Sequence, residues 1–132
     1  MGLSLSKKEF KTRLMERLSL ATYEFALMRL FEMNGKIEFL EIKKAEIDHQ
    51  LTAAECMLLN QSMSVKTILK LADEVFSELD IIYNNFWQHA NRSYERRYFQ
   101  EPPPIAYTEK IFQEIWIEFR PRISSIKEVF VV

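Results

Sequence analysis

From Ser6 onward, Phe10, Leu14, Leu18, Ala21, Phe25 and Met28 recur every three or four residues, the repeat of one helical face. Between Ala21 and Met33 the pattern widens, with Tyr23, Ala26, Leu27, Leu30 and Phe31 on other faces. A helix apolar nearly all round belongs at the centre of a core or under a partner. Asn34-Gly35 ends it, glycine being suited to the left-handed position just past a helix.

The stretch KIEFLEIKK settles on no single period, and Asn-Gly also turns hairpins. Leu40, Ile47, Leu51, Ala54 and Leu58 then form a heptad-like face, so residues 37–60 read as a second, antiparallel helix with a short strand at its start as the alternative. Val65, Ile68, Ala72, Val75, Leu79, Ile82, Phe86, His89 and Ser93 step by three and four without a break, with Ser62 or Ser64 as cap. The pattern predicts one long third helix over roughly 64–100, about 50 Å of spine, with Asn84-Asn85 and Asn91 as places to bend.

Glu101-Pro102-Pro103-Pro104 stops that helix, making 101–105 a proline-rich turn. A fourth helix follows, capped by Thr108, with Ile111, Phe112, Ile115, Trp116 and Phe119 on its apolar side and Pro121 as its end. Residues 123–132 form a C-terminal tail that reads as edge strand, last turn or loose end. The expectation is a single all-α domain over 1–132, an up-down bundle of about four helices with a long third one.

Composition supports a real core: 48% of residues are hydrophobic, while 2 Gly and 4 Pro leave few places to turn. The net charge of −1 gives no global field for nucleic acid. Residues 1–30 nevertheless hold six Lys/Arg against three Asp/Glu, and residues 31–60 three against six. Cys56 is the lone cysteine, so no intrachain disulfide forms, and no basic neighbour activates its thiol. No apolar run reaches membrane-span length, and charges in the first twenty residues argue against a secretory signal.

The opening MGLSLSKKEF fits M-G-x-x-x-[ST], the N-myristoylation pattern, with Gly2 as acceptor. One acyl chain binds membrane only marginally, and Lys7, Lys8, Lys11, Arg13 and Arg17 would supply the second signal. The segment NRSYERRYF interleaves Arg92, Arg96 and Arg97 with Tyr94, Tyr98 and Phe99. With Trp87, Trp116 and Arg120 it reads as a partner surface, protein being favoured over RNA because the chain is slightly acidic.

Catalytic and metal chemistry find little support. Glu46-Ile-Asp-His49 matches E-x-x-H, but His89 has Phe86 where a second pair needs a carboxylate, so no di-metal set and no cofactor is expected. His49 lies off the apolar face, and His89 reads as a buried or interfacial ring satisfied by a neighbour. The residues therefore point to a non-enzymatic, cytoplasmic adaptor or assembly protein, a homo-oligomer or part of a complex, with peripheral membrane attachment through Gly2. The alternative is a soluble inhibitor, chaperone or immunity-type binder, and no small-molecule substrate is evident. A sealed, solitary globule with a deep polar cleft gathering both imidazoles among acidic groups would overturn both readings.

Overall fold

The computed structural model describes residues 6–59, 64–93 and 97–130. Among them there is no strand, and five α-helices follow one another: α1 (Lys7–Met33), α2 (Leu40–Leu59), α3 (Val65–Ser77), α4 (Leu79–Arg92) and α5 (Ile105–Phe130). Ser6 caps α1, its hydroxyl accepting the Glu9 amide at 3.2 Å. At the other end Gly35 takes φ 70°, Lys36 N donates to the Phe31 carbonyl at 2.8 Å, and Gly35 N donates to Glu32 at 3.2 Å. That pair of bonds closes the orphan carbonyls of the last turn, and only glycine enters this backbone region without strain. A single 3₁₀ turn at Ile37–Phe39 then leads into α2, so the alternative of a strand is not realised.

α1 packs against every other helix, as its all-round apolar character requires. Arg17 meets Gln50 and Glu24 meets Lys43, so α2 runs antiparallel to α1. Lys11 meets Glu78 and Tyr23 meets Phe86, so α3 and α4 run parallel to it. Phe76 stacks on Phe112 and Trp116 while Tyr83 donates to the Pro103 carbonyl at 2.8 Å, which sends α5 back antiparallel to α3 and α4. The core has two parts. Phe10, Leu14, Leu18, Leu51, Val75, Phe112 and Phe119 fill one, and Tyr23, Leu27, Phe31, Phe86, Phe99 and Ile111 fill the other.

The expected long third helix is broken, and at Glu78 rather than at Asn84-Asn85, which lie inside α4. Glu78 leaves helical geometry (φ −95°, ψ 53°), its amide donating to Val75 in a tight turn and its carbonyl accepting Ile81 and Ile82. Ser77 turns its hydroxyl onto the Glu74 carbonyl at 2.8 Å, a local bond that competes with helix continuation. The Glu78 carboxylate is drawn across to Lys11.

Ser64 caps α3, accepting the Thr67 amide at 3.3 Å, whereas Ser62 lies outside the described residues. Thr108 does not cap the last helix. α5 starts three residues earlier, the Pro104 carbonyl accepts the Tyr107 and Thr108 amides, and Thr108 is buried.

Pro121 does not end α5 either, and most of the expected tail is helical, with 131–132 outside the described residues. The carbonyl that loses its partner belongs to Ile117, whose side chain is 74% exposed, so water can satisfy it. Immediately beyond, Arg122 is tied to α2 by Glu55, by Thr52 at 3.4 Å and by Asp48 at 3.7 Å, which keeps the chain on course.

Candidate functional site

An open cleft of about 580 Å³ lies where α1, α2 and the last turn of α4 meet. α2 presents Lys43, Glu46, His49 and Gln50 from one flank, residues spaced by three and four. α1 contributes Glu24, α4 contributes His89, and Ser93 follows as the residue that caps the end of α4. Lys43 is 4% exposed, and its ammonium lies 3.0 Å from a carboxylate oxygen of Glu24 and 3.0 Å from one of Glu46. An ammonium this deep is tolerable only with such partners.

Burial pushes the Glu24 carboxyl up from 4.5 to about 8; a hydrogen bond to Glu46 adds to the rise, and Lys43 opposes it. Glu46 moves the other way, held down first by the hydrogen bond from Glu24 and then by Lys43. The two carboxyls are thus pushed apart in proton affinity, Glu24 being the one that holds a proton more readily. His89 sets its ring edge-on to Tyr23, centroids 4.6 Å apart, and His49 is exposed at the rim. Gln50 accepts a bond from Arg17 at 3.2 Å. The arrangement can donate and take up a proton near neutral pH. Among the described residues no group of three or more His, Cys, Asp or Glu side chains is placed to hold a metal ion.

Both imidazoles thus stand in one cleft with two carboxylates, which the linear pattern did not reveal. Glu46 and His49 had been visible as a pair, but their meeting with Glu24 and His89 is created by three helices far apart in sequence.

The residues expected at a partner surface are divided by the fold. Phe99 and Trp116 are core side chains instead: Phe99 packs 5.5 Å from Phe86 and 5.9 Å from Tyr23, and Trp116 stacks 5.8 Å from Phe76. Trp87 and Tyr98 are half-buried, Tyr98 edge-on to Phe31 at 4.8 Å. Arg92 and Arg97 are exposed, with the Arg97 guanidinium 5.2 Å over the Tyr98 ring and hydrogen-bonded to its hydroxyl, which lowers the phenol's pKa. Arg120, on α5, pairs with Asp73 on α3 at 3.4 Å. Tyr94 and Arg96 lie outside the described residues.

Gly2 also lies outside them. Lys7, Lys8 and Arg13 are exposed, Arg17 is engaged by Gln50, and Lys11 is engaged by Glu78 and Glu74. The Glu78 hydrogen bond raises the Lys11 pKa.

A second feature escaped the pattern. Met33 (79% exposed), Ile37 (71%), Ile42 (53%) and Phe39 (36%) cluster in ten residues at the corner joining α1 to α2. Their signal was the failure of KIEFLEIKK to settle on any period: Ile37 and Ile42 face solvent, while Phe39 rests one side of its ring against Phe31 at 5.1 Å. Among the described residues no helix is long and apolar enough to cross a membrane. No protein-family model, curated protein or solved structure matches this chain.

Proposed function

We propose that the chain is a non-enzymatic helical adaptor or assembly protein of the cytoplasm, held at a membrane surface by acylation of Gly2. The observation that supports this most directly is the exposed apolar corner of Met33, Ile37, Phe39 and Ile42. Scattered apolar residues on a surface need no explanation, but four large ones in ten residues form a contact patch for protein. As an assembly unit the molecule reads as an up-down bundle of four legs, α3 and α4 forming one bent leg. In that reading α1 separates two working ends: Gly2 precedes its start, and the apolar corner follows its finish about 40 Å away.

The test is photo-crosslinking in cells from a reactive residue placed at position 37. A discrete adduct with another protein or a second copy, lost on Met33→Glu with Phe39→Glu, is the expected result. Adduct-free protein, folded by circular dichroism, refutes the reading.

The cleft favours a second reading, a small-ligand or proton-transfer site using Glu24 with His49 and His89. It stands second because Lys43 and both carboxylates already satisfy one another, as a buried charge requires for stability alone. Nuclear magnetic resonance of the two imidazoles against a library of small polar compounds tests it. A saturable shift abolished by Glu24→Gln would promote this reading, and silence across the library would remove it.

A further inference from the structure

The start of α1 and the start of α3 lie side by side. Lys7, Lys8 and Lys11 from α1 line a groove of about 410 Å³ together with Thr67, Lys70 and Glu74 from α3. Next to it, Lys66 and Lys70 line a second depression of about 510 Å³. Lysines separated by some sixty positions in the chain are thereby gathered on one end of the molecule.

The charges there are unequally matched. Lys11 is engaged by Glu74 and Glu78, and Asp73 is engaged by Arg120. Lys7, Lys8, Lys66 and Lys70 are exposed, and among the described residues none of the four has an ion-pair partner. Both helices also begin here, capped by the exposed Ser6 and Ser64, so their positive ends add to the same field.

We propose that this end of the molecule docks on an anionic membrane leaflet, with Lys7, Lys8, Lys66 and Lys70 as the contact residues. The proposal deepens the membrane reading of Gly2 and rests on it for stable attachment. Lysine is a compact, flexible point charge suited to a diffuse layer of headgroups. Nucleic-acid surfaces that read bases or hold single strands add arginine forks or stacking aromatics, and this groove has neither on its walls. Gly2 is four residues before Ser6, so covalent geometry keeps its amine within about 14 Å of the face. An acyl chain and the four lysines can therefore engage one surface together, the two-signal arrangement that stable anchoring needs.

Sedimentation with vesicles tests this, using phosphatidylcholine alone and phosphatidylcholine with 30% phosphatidylserine, taken as a composition of roughly the anionic content that basic segments respond to. Protein is prepared with and without co-expressed N-myristoyltransferase, in wild-type, Gly2→Ala and Lys66→Ala/Lys70→Ala forms. Losing two lysines should weaken binding to the anionic vesicles about thirty-fold and leave binding to neutral vesicles unchanged. Raising salt should erase the difference. The unacylated protein at low salt examines the lysine face alone. If Gly2 is never acylated but the charge dependence persists, the anchoring reading fails and the docking face stands. Wild-type affinity in Lys66→Ala/Lys70→Ala overturns the face, as does tighter binding to a DNA duplex than to the anionic vesicles. The four side chains are exposed, so the variants should fold, and circular dichroism checks that they do.

Discussion

Replacing Glu24 by glutamine should remove a pH dependence that the wild-type fold carries. Burial holds the folded pKa of Glu24 near 8, above its ordinary 4.5, so the folded chain keeps a proton that the unfolded chain has already released. The stabilisation linked to that proton is complete below about pH 4.5 and is lost as pH rises through about 8. Between pH 5.5 and 8 the linkage slope gives an upper bound of about 3 kcal/mol. Water in the open cleft and the neighbouring ammonium of Lys43 both ease ionisation, which brings the expected loss to about 2 kcal/mol. Glutamine keeps a donor toward Glu46 and leaves Lys43 one ionised partner, so its stability should not follow this slope. Urea unfolding monitored by helical circular dichroism at pH 5.5 and 8.5 supplies the comparison. Wild type should match or exceed the variant at pH 5.5 and fall behind it by about 2 kcal/mol relative to that starting point at pH 8.5. Parallel curves would show that Glu24 is not protonated in the fold, and the account of the cleft would fail with it.

Three further outcomes follow from the same contacts. Lys43→Met leaves Glu24 and the partly exposed Glu46 without their shared cation, and unfolding free energy should drop by about 1–3 kcal/mol, read from the urea midpoint. Phe112→Ala empties a position stacked against Phe76 and should cost about 3–5 kcal/mol, while Ile117→Ala one turn on should change stability by less than about 0.5 kcal/mol. Pro121→Ala restores an amide that can donate to the Ile117 carbonyl, raising the melting temperature and stabilising the fold by about 1–3 kcal/mol; a loss would contradict the continuous α5.

Helix α1 was legible almost residue by residue, because what begins and ends it is local: a serine cap, a periodic face and an Asn-Gly stop. The break at Glu78 was not, because no proline or glycine marks it and its cause includes a lysine on another helix. Pro121 misled for the complementary reason. A proline signal is read as a stop, yet the groups that hold the chain beyond it, Glu55, Thr52 and Asp48, belong to α2. Trp116 and Phe99 look the same in sequence whether an aromatic side chain faces a partner or the core. Only the placement of α5 and of the chain after α4 decides between them. Of the candidate site, Glu46 and His49 were visible as a spacing, while Lys43 and Glu24 were silent.

The position of the cleft follows from the helix that organises the core. Glu24 stands on α1 at the wall of the cleft with its side chain only 13% exposed, so its charge is poorly solvated. Glu24 must then be neutralised by a proton, by a cation or by both. Lys43 answers from α2, but one buried ammonium between two carboxylates leaves a surplus negative charge, which the proton that Glu24 keeps absorbs. Such a cluster fixes register between α1 and α2 more sharply than the surrounding leucines and alanines, which tolerate sliding as long as volume is conserved. It also prevents the helices from closing over it as an apolar seam would, and the space left beside it is the cleft that His49 and His89 border. One acidic residue on an otherwise apolar face is therefore enough to account for the buried lysine, the shared proton and the opening between the helices.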